Sequence, residues 1–272
     1  RDPRIGIPAD KKIDARTPEE FRAWIAPQLA SGPVEFSLVG DFDVEATIGE
    51  LTRTLGALSA REPRGAKAFS TTLNFLRGRR ATRYYFSGTA ERPSRWEFFW
   101  RIRDPHTARE RLAVQMLAAI FGDRVRDEVR ERKGSAYRVE SYVAWNDVYP
   151  GFSFLRCSVD HQPADREKHT RAVRKLALAI AAKGVTADEL ARAKAQTLAS
   201  IRRNQTDNTH WLREVLADSQ QRPFRLDAFR TAESDIEAIT VADVNALAAR
   251  YFGPDRVFHY AIMPSALMPK KK

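Results

Sequence analysis

The sequence predicts an α+β fold, a mostly antiparallel sheet covered by helices. Strand-like segments cluster in the middle of the chain, and helical periodicity dominates its C-terminal part. One long amphipathic stretch, Thr107–Lys133, stands between two groups of strands. Strands grouped with strands and helices with helices pack as α+β, whereas alternating βαβ units build parallel sheets.

Residues 1–16 read as an irregular basic lead without an initiator methionine. The chain is therefore expected to be part of something longer, with any targeting signal upstream. Thr17-Pro18-Glu19-Glu20 opens a helix: a capping threonine, proline in the first turn and glutamate at the third position. Phe21, Trp24, Ile25 and Leu29 follow on one face, and Ser31-Gly32-Pro33 stops it. Val34–Val39 alternates as a strand, and Gly40-Asp41-Phe42-Asp43 leads into a helix that Asp43 caps and Ile48, Leu51 and Leu55 continue.

Residues 59–80 look irregular, with an extended segment near Phe69–Phe75. Strands are predicted at Ala81–Ser87 and Arg95–Ile102, the second with Trp96, Phe98, Trp100 and Ile102 on one face. Such a face hides large apolar area and reads as core. Asp104-Pro105 turns the chain into the long helix, which Thr107 and Glu110 cap at their three-residue spacing. Val114, Leu117, Phe121, Val125 and Val129 make its apolar stripe, and Gly134 ends it.

Tyr137, Val139, Ser141, Val143 and Trp145 then share one strand face, and Pro150-Gly151 turns into a hairpin partner at Phe152–Val159. Helices follow at Arg171–Ala182, from the Thr186/Glu189 capping box, around Thr209–Ser219, at Leu226–Ile239 and from the Thr240 cap to Tyr251. Arg256–Met263 closes the chain as a strand.

Composition excludes several functions. With 43% hydrophobic and 10% aromatic residues the 272-residue chain is globular. It holds no apolar run long enough for a membrane span. The net charge of +11 comes from arginines scattered over nearly every segment. No helix-turn-helix, ribonucleoprotein or OB signature accompanies them, so no nucleic-acid partner is expected. The single Cys157 lies in an apolar strand and is assigned to the core.

Arg130-Glu131-Arg132-Lys133-Gly134-Ser135-Ala136-Tyr137 resembles the R-E-x-x-G-x-A-Y segment in the non-zinc half of insulinase/pitrilysin-type zinc metallopeptidases, the inverzincins. Ser135 stands where that family more often has an aliphatic residue. Further segments are similar in the same order: the strand leading into Gly40-Asp41, with Leu55-Gly56-Ala57-Leu58 after it; Gly184–Lys194; and Ile239–Phe252. The resemblance covers roughly residues 31–265.

It implies an insulinase-type C-terminal peptidase domain over residues 31–265. Residues 1–30 would be an N-terminal linker and lead helix, and residues 266–272 a basic tail. It also implies a function: the substrate-binding, closing domain of a zinc metalloendopeptidase that cleaves peptides in a clamshell chamber. Arg130 and Tyr137 would contact the peptide backbone, while zinc sits on an upstream domain or a partner chain. The alternative within the same fold is a non-catalytic scaffold or partner subunit. Bacterial periplasm and cytoplasm both fit.

Zinc in that family is held by His-x-x-Glu-His on a helix. Here His106, His161, His169, His210 and His259 include no pair four apart. No metal ligand and no other cofactor-binding residue is therefore assigned to this chain, and any zinc is expected in the parent enzyme. No G-x-S-x-G elbow is present. The chain carries no complete active site of its own.

Overall fold

The computed structural model describes residues 6–61, 73, 83–87, 94–103, 107–131, 136–161 and 166–267. The predicted extended segment near Phe69–Phe75, apart from Leu73, lies outside these residues. So do the Asp104-Pro105 turn and the Gly134 helix stop. The chain divides into two compact units: residues 1–70 with Asp207–Arg225, and Thr71–Thr206 with Leu226–Lys272.

The second unit is built on a five-stranded sheet. Its strands are β1 (Arg83–Ser87), β2 (Ser94–Ile102), β3 (Ala136–Ala144), β4 (Ser153–His161) and β5 (Val257–Pro264). They lie in the order β1-β5-β2-β4-β3. Every pairing is antiparallel except that of β1 with β5. This is the α+β fold the sequence predicts.

One face of the sheet is apolar because every second residue of β2 from Trp96 to Ile102 is a large apolar side chain. Trp96, Phe98, Trp100 and Ile102 are all buried and point to the helices. Leu155, Cys157 and Val159 of β4 and Ala261 of β5 extend the same face. Burial pushes the Cys157 thiol well above its ordinary range, which leaves it inert.

The long helix α4 (Ala108–Glu131) lies on this face. The Thr107 hydroxyl accepts from the Glu110 amide at 3.1 Å and caps its start. Val114, Leu117, Phe121, Val125 and Val129 are buried, as their spacing predicts. Phe121 meets Trp100 edge-on at 5.1 Å between ring centroids, and Phe252 closes the cluster at 4.9 Å from Phe121.

α5 (Arg166–Lys183) starts earlier than its predicted first turn and stops at Gly184, whose φ of 76° suits glycine. α6 (Ala187–Asn204) starts from a complete Thr186/Glu189 capping box. α8 (Phe224–Ala238) leads to α9 (Val241–Tyr251), which starts from Thr240 and Asp243. The Asn245 side chain of α9 accepts from the Val185 amide at 2.8 Å, tying the α5–α6 turn to α9. No helix among the described residues is long and apolar enough to cross a membrane.

The first unit departs more from expectation. Residues 10–14, read as irregular lead, form a short helix α1 (Asp10–Asp14). α2 (Pro18–Ala30) has its predicted capping box, and α3 (Val44–Arg53) is capped by Asp43, which accepts from Ala46 at 2.7 Å. Val34–Val39 is not a strand: the segment joins no ladder among the described residues. Alternation supplies a strand's faces, but pairing requires a neighbour in register. The helix expected around Thr209–Ser219 is instead one turn, α7 (Asn208–His210), running into a π-helical turn at Trp211–Val215. Its i→i+5 bonds are a rare departure that spacing does not signal.

Candidate functional site

Arg130 stands in the last turn of α4 and is exposed. Residues 132–135 and the side chain of Tyr137 lie outside the described residues. Tyr137 itself belongs to β3, where the ladder with β4 is irregular. Ala136 faces His161 and Arg138 faces Asp160, so two steps on β3 match one on β4. Tyr137 is therefore the extra residue of a β-bulge, and the even alternation predicted from Tyr137 to Val139 is interrupted there. A bulge leaves its extra residue out of the ladder and bends the strand locally.

Beyond the bulge, alternation resumes. Val139, Ser141 and Val143 face the helices, while Arg138, Glu140 and Tyr142 belong to the other face of the sheet. That second face carries a charged row that runs across three strands. Arg95 of β2 grips Asp160 of β4 with both arms, at 2.5 and 2.8 Å. One step along, Arg156 of β4 grips the buried Glu97 of β2, at 2.7 and 2.5 Å, and also donates to the Tyr142 hydroxyl. Arg138 pairs with Glu140 on β3 itself. The carboxylate partners raise the arginine pKa values of Arg95 and Arg156, with burial opposing. Each fork is bidentate, the geometry in which arginine binds carboxylate best. Further along lies an aromatic group, in which Phe99 stacks on Tyr260 at 5.6 Å and meets Phe154 edge-on at 5.2 Å.

Sequence reasoning missed these residues as a set. The signal was present as charges on the polar phase of β2 and β4, Arg95 and Glu97 in one and Arg156 and Asp160 in the other. Pairing them needs the register, which no single segment reveals.

A cavity of about 910 Å³ lies elsewhere in this unit, by Arg109 and Glu110 at the start of α4. Arg109 and Arg130 are 21 residues apart on one helix, which separates them by ~30 Å at 1.5 Å per residue. Four of the cavity's charged residues pair within it: Arg109 with Asp243 at 3.1 Å, and Arg250 with Glu110 at 2.9 Å.

Among the described residues no group of three or more His, Cys, Asp or Glu side chains could hold a metal ion. Of the histidines, His169 and His259 are buried in the packing, and His259 stacks on Phe98 at 5.7 Å. Burial lowers the His259 pKa, because desolvation disfavours the charged imidazolium. These residues do not fit a zinc centre.

Solved structures share the fold at low identity. A conserved protein from Enterococcus faecalis is 18% identical with a TM-score of 0.73, over 95% of this chain and 58% of that one. A peptidase M16 inactive domain from Pseudomonas fluorescens is 18% identical with a TM-score of 0.68, over 97% and 61%. The ferredoxin protease FusC, solved as a mutant in complex with Arabidopsis ferredoxin, is 16% identical with a TM-score of 0.69, over 95% and 28%. The chain thus spans between 28% and 61% of the length of these proteins. No curated protein sequence matches it. The family described as the peptidase M16 inactive domain matches residues 16–197, a stretch that includes α2, β2, all of α4, the bulge and β4, and the chain belongs to that family.

Proposed function

We propose that this chain is the substrate-binding, closing domain of an M16 zinc metalloendopeptidase. Family membership across residues 16–197, a range that contains both Arg130 and Tyr137, is the observation that carries the reading. In it, residues 31–265 act as the peptidase domain, with 1–30 as linker and lead helix and 266–272 as a basic tail. Zinc belongs to an upstream domain or partner chain. The substrate is a peptide or small protein, held between the two halves of a clamshell chamber.

The chain's own residues would contribute binding and electrostatics. Arg130, at an exposed helix end, offers a planar fork of donors to peptide carbonyls. When water adds to the scissile carbonyl, negative charge grows on its oxygen. The Tyr137 hydroxyl would donate to that oxygen and stabilise the tetrahedral intermediate.

The test is Tyr137→Phe in the peptidase assembled with its zinc-bearing half. kcat should fall ~10²–10³-fold, the usual loss for one such donor, with little change in KM. Wild-type kcat in a folded, zinc-loaded variant would overturn the assignment.

A further inference from the structure

We infer that Asp160, held by Arg95, is a positioning residue for Tyr137. The inference rests on the functional reading above for its catalytic consequence, and on the geometry of the bulge for its physical basis. Asp160 lies on both sides of the matter at once. Across the β3–β4 ladder it faces Arg138, the first paired residue after Tyr137. Across the β2–β4 ladder it faces Arg95.

A bulge is a weak place to mount a side chain that must be exact. The extra residue makes no ladder bonds, so its orientation depends on how firmly the pairs on either side are held. A catalytic group needs its support fixed to within about half an ångström, which an unsupported bulge does not provide. Here one flanking pair is Arg138 with Asp160, and the Asp160 carboxylate is clamped through two hydrogen bonds, at 2.5 and 2.8 Å, to the central strand β2. The residue is buried, and its side chain is only 12% exposed, so solvent screens this clamp less than a surface pair. Arg95 fixes Asp160 to the sheet centre, and Asp160 fixes the ladder pair that immediately follows Tyr137.

The neighbouring Arg156–Glu97 clamp, which also has two arms, serves as an internal comparison. It crosses the same strands one step away from the bulge, with Glu97 facing Ser158 and Arg156 facing Phe99. Its partner on β3 is Tyr142, in the regular part of the ladder. Loss of that clamp should perturb the sheet without acting selectively on Tyr137.

The experiment is a double-mutant cycle in the assembled, zinc-loaded peptidase. Asp160→Asn keeps the shape but removes the charge that Arg95 holds; Arg95→Lys keeps the charge but removes the fork. Each should lower kcat between roughly ten- and a hundredfold with KM nearly unchanged, the effect of a small misplacement of a catalytic group. In a Tyr137→Phe background both should add little, because the hydroxyl they position is already gone. Additive losses, or wild-type kinetics in folded variants, would overturn the inference and leave the role of Tyr137 intact. If Asp160→Asn does not fold, Arg95→Lys carries the same cycle.

A second readout separates this inference from the functional reading. With fluorotyrosine at position 137, the ¹⁹F resonance should shift or broaden in Arg95→Lys and hold its position in Glu97→Gln. A resonance unmoved by Arg95→Lys would overturn the positioning role whatever the kinetics show. Should Tyr137→Phe leave kcat unchanged while the resonance still moves, the catalytic reading falls and the positioning of Tyr137 stands.

Discussion

Gly122 and Ser141 meet where α4 crosses β3, and a Cβ built at position 122 would stand 2.8 Å from the Cβ of Ser141. The Ser141 hydroxyl donates to the Ala118 carbonyl one turn earlier, at 2.7 Å. The missing side chain and the added hydrogen bond together let the helix lie directly on the strand. The two elements joined here are the ones that carry Arg130 and Tyr137.

Gly122→Ala should therefore destabilise the protein despite alanine's better helix propensity. Propensity favours alanine by ~1 kcal/mol, whereas forcing a methyl group into a packed interface costs about 1–3 kcal/mol. A Cβ contact under 3.0 Å requires the elements to separate, so the packing cost should win. Denaturant unfolding would check it, and Ser141→Gly in the same chain should recover much of the loss. A stabilised Gly122→Ala would show that α4 and β3 shift apart at little cost.

Acid should weaken the joint between α4 and α6 over a defined range. Arg124 of α4 holds Glu189 with two bonds, at 2.6 and 2.7 Å, and donates to the Gly184 carbonyl. That hydrogen bonding, helped by Thr186 and opposed by burial, lowers the Glu189 carboxyl from 4.5 to about 2. A carboxyl lowered on folding stabilises fully above its unfolded value, and the contribution is lost as pH falls toward the folded one. Melting temperature should thus drop between pH 4.5 and about 2. Glu189→Gln should melt lower at neutral pH and change less across that interval. Parallel curves for the two proteins would place the transition on other carboxylates.

What the sequence disclosed and what it withheld divide by range. Thr17/Glu20 and Thr186/Glu189 are visible because a capping box spans three residues and closes on itself. The Trp96, Phe98, Trp100 series is visible because burial repeats every second residue. The parallel pairing of Arg83–Ser87 with Tyr260–Pro264 joins segments at distant points of the chain, and no local pattern specifies it. The bulge at Tyr137 is hidden for a related reason: alternation reads the same whether or not one residue drops out of register. Arg130 and Tyr137 were singled out by resemblance, since as residues they are a helix-end charge and a strand aromatic. Asp160 and Arg95 escaped because their relation exists only across strands.

The isolated chain should bind no stoichiometric zinc and cleave no peptide. Tight structural sites need a complete ligand set with suitable geometry. Metal analysis after purification without chelator, paired with a fluorogenic peptide assay, would decide it. About one tightly held zinc per chain would move the metal centre into this domain and overturn the division of labour proposed here.

Arg130→Ala in the assembled peptidase should raise KM and lower kcat together, unlike Tyr137→Phe. A clamp on backbone carbonyls acts on bound substrate and transition state alike, so its loss appears in both parameters. Arg130→Lys should recover only part of the activity, because lysine keeps the charge and loses the planar fork. Stability offers the control. Arg130 is exposed at the end of α4, where a helix-terminal charge contributes only ~0.3–1 kcal/mol. The melting temperature should therefore stay close to wild type. A large fall would make Arg130 structural, and unchanged kinetics in a folded variant would leave the domain as a lid or scaffold with no hold on the peptide backbone.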